Sequence, residues 1–85
     1  MRPEYKIEID VTPKQSSYPL KATIEGFDLF RMKSEINKTV DFICKKYGCK
    51  DGDEVYVEIC ITKQDEWYDC DEGPYIIGTG RKAER

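Results

Sequence analysis

Two stretches of strict alternation bracket one helical stripe, and this constrains the chain more than any other feature in it. Tyr5, Ile7, Ile9 and Val11 alternate with Lys6, Glu8 and Asp10, and Val55, Val57, Ile59 and Ile61 alternate with Tyr56, Glu58, Cys60 and Thr62. A period of two belongs to a strand with one buried face and one wet face. Leu20, Ala22 and Ile24 repeat the pattern against Lys21, Thr23 and Glu25 until Gly26, and the apolar run Tyr75-Ile76-Ile77 predicts a short final strand. Between these, Leu29, Met32, Ile36, Val40, Ile43 and Tyr47 recur every three or four residues, which predicts a helix over 29–47. Asp28 is placed to cap its start, Phe27 to staple onto Met32, and Gly48 to end it in a left-handed turn. Lys45 and Lys46 suit the negative end of the helix dipole.

The order is strand, strand, helix, strand, strand. One sheet with the helix across one face is the simplest way to bury one apolar stripe and the apolar faces of these strands. The expectation is therefore an α+β fold, a single four-stranded sheet in the order ββαββ, either β-grasp-like or fully antiparallel. With 85 residues the chain has room for one core, so a single domain over 1–80 is expected, with a flexible tail over 81–85. The proline-containing segment 12–19 and the polar, aromatic segment 63–74 read as loops. The element order resembles that of ubiquitin-like domains and of the immunoglobulin-binding domains of bacterial surface proteins. Ubiquitin-like modifiers end in a glycine pair, whereas this chain runs Gly78-Thr79-Gly80 and then five more residues, and no family function is carried over.

The chain contains no histidine, which removes the commonest general base and metal ligand together with the usual Ser-His and Cys-His pairs. Ser16, Ser17 and Ser34 lack a glycine elbow. Cys44, Cys49, Cys60 and Cys70 form no C-x-x-C pair and read as reduced thiols without zinc. Asp69 and Asp71 match the first two ligand positions of a calcium loop, but Gly73 stands at the third and no closing glutamate follows. Gly78-Thr79-Gly80-Arg81-Lys82 opens no helix and lacks P-loop spacing. A non-enzyme without cofactor or metal is expected.

Charge is distributed unevenly. Residues 51–72 hold nine acids against the single base Lys63, a net −8, while residues 1–50 carry +3 and residues 73–85 carry +2. Such asymmetry bears on partners rather than on fold. The acidic stretch is also aromatic, and the candidate partner-binding residues are Tyr56, Glu58, Asp65, Glu66, Trp67, Tyr68, Asp69, Asp71 and Glu72. Aromatic side chains supply contact area and clustered carboxylates steer a basic partner. The expected function is a non-catalytic protein-binding module docking on a basic surface of a larger protein, in its most concrete form a nucleic-acid-binding one. In size, acidity and lack of catalytic residues the chain is similar in general character to small phage and mobile-element inhibitors such as anti-CRISPR proteins. No direct nucleic-acid binding is expected from an acidic chain without a nucleic-acid motif. With no apolar run of about 20 residues and no secretion signal at its start, the chain reads as cytoplasmic, without a membrane partner. The alternative is a structural homodimer or assembly subunit pairing through the sheet face or edge, with Lys6, Glu8, Lys21, Tyr56 and Cys60 as rim contacts.

Overall fold

The alternating segments form strands whose apolar residues all point to one side. A computed structural model describes residues 2–14 and 16–82. Its elements are β1 (Tyr5–Pro13), β2 (Leu20–Gly26), α1 (Leu29–Ser34), α2 (Ile36–Lys46), β3 (Glu54–Lys63), β4 (Glu66–Ile76) and the two-residue β5 (Arg81–Lys82). Four long strands lie in the order β2-β1-β3-β4, β5 adds to the end of β4, and every pairing is antiparallel. This decides between the two arrangements the sequence allows. A β-grasp sheet needs its first and last strands side by side and parallel, whereas here β1 lies beside β3 and runs against it.

Ile7, Ile9 and Val11 of β1 are fully buried beneath the helices, joined by Val55, Val57 and Ile61 of β3, Tyr75 of β4, and Met32, Val40 and Cys44 from above. Each such aliphatic side chain contributes about 1.5–3 kcal/mol on leaving water. The helical stripe is the expected one, but the helix bends at Glu35, whose amide donates to the Met32 carbonyl at 3.1 Å in a tightened turn. Asp28 caps α1, its Oδ1 accepting from the Arg31 amide at 3.2 Å. Phe27 does not staple onto the core; it stays mostly exposed.

At the far end of α2, Cys49 donates its amide to the Cys44 carbonyl at 2.9 Å and Gly48 donates to Lys45 at 3.1 Å. Gly48 has φ +109°. This is the Schellman ending, whose usual apolar contact joins the two residues that close the longer loop. Cys44 and Cys49 are those residues, and both are buried. Their burial is accounted for by helix termination.

Three boundaries differ from the sequence reading. Pro13 continues β1, opposite Val55, because β2 has already ended at Leu20 and the ladder on that side needs no further amide donor. Arg81 and Lys82, expected in a tail, pair with Ile76 and Tyr75 as β5, and residues 83–85 lie outside the described residues. The largest difference is β4. The segment read as a loop with a short strand after it is an eleven-residue strand paired with β3 from Lys63↔Glu66 to Glu54↔Ile76.

Candidate functional site

Because β4 is a strand, its side chains are dealt alternately to the two faces of the sheet, and the nine candidate residues do not form one patch. Trp67, Cys70 and Glu72 share the helix-free face with Tyr56, Glu58, Cys60 and Thr62 of β3. Asp69 and Asp71 stand opposite Ile61 and Ile59 on the other face. Tyr68 is the extra residue of a bulge, since Ile61 faces Asp69 while Thr62 faces Trp67. Its ring meets Tyr5 edge to face at 5.9 Å, and Lys63 lies over Tyr5 at 5.6 Å. Asp65, in the turn, pairs with Arg2, and Glu66 stands opposite Lys63. Trp67 is 71% exposed rather than folded into the core. Among the described residues, no three Cys, Asp or Glu side chains converge in a way that would hold a metal ion.

What the topology assembles on the helix-free face is a set of cross-strand rows. Asp10 lies opposite Glu58, and Glu58 opposite Glu72, so three carboxylates stand side by side across β1, β3 and β4. In the adjacent row Glu8 lies opposite Cys60, and Cys60 opposite Cys70. On the other side Thr12 lies opposite Tyr56, and Tyr56 opposite Pro74. A shallow trough of about 600 Å³ runs over Glu8, Asp10, Glu58, Cys60, Cys70 and Glu72.

Among the described residues, relief for these charges comes from the β1–β2 side of the face. Lys21 lies opposite Asp10 in register, and Lys6 reaches Glu8 at 3.3 Å. Among the described residues, Asp10, Glu58 and Glu72 make no ion pair. The Tyr56 phenol is pushed above the ordinary value by desolvation first, then by the Glu72 and Glu58 carboxylates. The Cys60 thiol is also raised, mainly by its hydrogen bond with Cys70, then by desolvation and by the charges of Cys70 and Glu8.

Tyr56, Glu58, Trp67 and Glu72 are thus the members of the expected site that the fold brings onto one face. Glu8 and Asp10 complete it. Their wet-face alternation is visible in the sequence, but only the pairing of β1 with β3 places them beside Glu58. Over residues 28–47 the helices carry a small basic excess, Arg31, Lys33, Lys38, Lys45 and Lys46 against Asp28, Glu35 and Asp41.

No family model, curated protein or solved structure matches the chain. No helix among the described residues is long and apolar enough to cross a membrane.

Proposed function

We propose that the chain is a non-catalytic binding module whose helix-free sheet face docks on a basic surface of a larger protein. The observation that carries this reading is the row Asp10–Glu58–Glu72. Like charges directly opposite on neighbouring strands are destabilising by about 0.2–1 kcal/mol per pair. A fold that holds three of them in line, in a domain with only a small core, sets stability against some other use of that face. Tyr56 and Trp67 at the two ends of the face supply the aromatic contact area that such interfaces favour, and the carboxylates supply steering toward a basic partner. In its most concrete form the partner is a nucleic-acid-binding protein whose basic site this face occupies, an action similar in character to that of small inhibitors of the anti-CRISPR kind. Such a partner places the chain in the cytoplasm.

Affinity capture from a cell lysate tests this, run in parallel with the parent and with a variant carrying Asp10→Asn, Glu58→Gln and Glu72→Gln. The reading expects a basic protein that binds the parent, elutes with salt, competes with nucleic acid, and is lost with the variant. The same captured set from both proteins would overturn it.

A second reading, assembly through the edge of the sheet, draws on β4 being the last long strand of the sheet. A second copy laid along that edge brings Glu66, Asp69, Asp71 and Glu72 against their own equivalents, which is how natural edges resist self-pairing. Mass in solution separates the readings: a dimer insensitive to salt favours assembly, and a monomer favours docking on a different protein.

A further inference from the structure

The four cysteines fall into two pairs of opposite character. Cys44 and Cys49 are buried at the end of α2, and burial pushes the Cys44 thiol up to about 12. Cys60 and Cys70 lie on the open face, directly opposite each other on β3 and β4, with the two sulfurs 3.2 Å apart. Cys70 is exposed and Cys60 partly so.

Directly opposed residues on antiparallel strands have Cα atoms about 4.5–5.5 Å apart, inside the roughly 4.4–6.8 Å span that a disulfide bridges. Closing the gap to a bond of about 2.05 Å needs side-chain rotation and no movement of the strands. The Trp67 indole N–H, moreover, donates to the Cys70 sulfur at 3.0 Å. That donor faces the sulfur that carries negative charge during exchange. The trough around the pair is lined by Glu8, Asp10, Glu58 and Glu72, which repel an anionic reagent and attract a cationic one.

We propose that Cys60 and Cys70 form a thiol–disulfide exchange site that takes small cationic disulfides and closes to a cross-strand disulfide. The Cys70 thiolate attacks one sulfur of the reagent RSSR, forming a Cys70–S–S–R mixed disulfide and releasing RS⁻, which takes up a proton. The Cys60 thiolate then attacks the Cys70 sulfur, forming the Cys60–Cys70 bond and releasing the second RS⁻, protonated in turn. Both protons come from the two cysteine thiols. Two electrons pass from the cysteine pair to the reagent, which leaves as two RSH molecules. The site does not depend on the docking function proposed above.

The test uses the full chain with cystamine, a dicationic disulfide, and with glutathione disulfide, an anionic one. Rates are followed by intact mass and normalised to an unstructured cysteine peptide. The parent should lose two hydrogens as a monomer, with peptide mapping joining Cys60 to Cys70. Cys60→Ser should stop at one cysteamine adduct on Cys70, and Cys70→Ser should not cross-link. At low salt, cystamine should outpace glutathione disulfide by about tenfold, the low end of what a charged cleft contributes, and this preference should shrink with added salt. A parent that keeps a stable cysteamine adduct without closing would overturn the proposal. So would a linkage between Cys44 and Cys49, a linkage between two chains, or equal normalised rates for the two reagents.

Discussion

Tyr75 shows how a single side chain ties the layers together. Its ring is buried in the core, and its hydroxyl donates to Asp41 Oδ1 at 3.1 Å, which also accepts from the Gly78 amide at 3.0 Å. One carboxylate on α2 thereby holds both the end of β4 and the turn after it. Tyr75→Phe keeps the ring and removes one charge-assisted hydrogen bond, so it should cost about 1.5–3 kcal/mol in equilibrium denaturation. Burial, then the Asp41 hydrogen bond, raises the Tyr75 phenol from 10.0 to about 12, and burial raises Cys44 from 9.0 to about 12. Both groups are held neutral in the folded chain, so above their ordinary values the unfolded chain binds fewer protons. Their contribution to stability is complete below pH 9, falls as pH rises, and is lost by about pH 12. Denaturation midpoints measured from pH 8 to 11 should decline steadily above pH 9, and Tyr75→Phe should flatten the portion above pH 10.

Among the elements, the β3–β4 hairpin decides where the site lies and was the least legible in the sequence. Its two turn residues, Gln64 and Asp65, have φ of 51° and 68°, the left-handed conformation that tight hairpins require. Asn-Gly announces such a turn; Gln-Asp does not. Beyond it, Glu66 to Glu72 lacks the alternation that marks a half-buried strand, because the helices do not cover this part of β4 and both of its faces are wet. Where burial imposed a pattern, in β1, β2, β3 and the helical stripe, the elements could be read directly. Glu58 and Tyr56 could be placed on the open face for that reason. Glu72 could be placed there only once β4 was known, and Glu8 and Asp10 could be set beside Cys60 and Glu58 only once the strand order was known. Gln64→Asn with Asp65→Gly should relieve the left-handed strain and raise stability by about 1 kcal/mol, without moving the register of β4. A fall in stability would mean that the Arg2–Asp65 pair outweighs the turn.

At the scale of the whole molecule, a modest net charge of −3 is spread unevenly by the fold, which gathers carboxylates on the open sheet face and leaves a small basic excess along the helices. The chain charge is uneven along the sequence, but this gathering of carboxylates arises in three dimensions, from β1 and β4 flanking β3. Self-association through the acidic face is disfavoured by the same repulsion that strains it, so sedimentation at low salt should find a monomer. If the row Asp10–Glu58–Glu72 serves a partner, it is kept at a cost to the fold. Equilibrium urea denaturation of the parent and of the Asp10→Asn, Glu58→Gln, Glu72→Gln variant, at low and at high salt, measures that cost. The variant should be more stable than the parent by about 1 kcal/mol at low salt, with the difference closing as salt screens the row. A variant of equal or lower stability at low salt would contradict this, by showing that these carboxylates serve the fold rather than a partner.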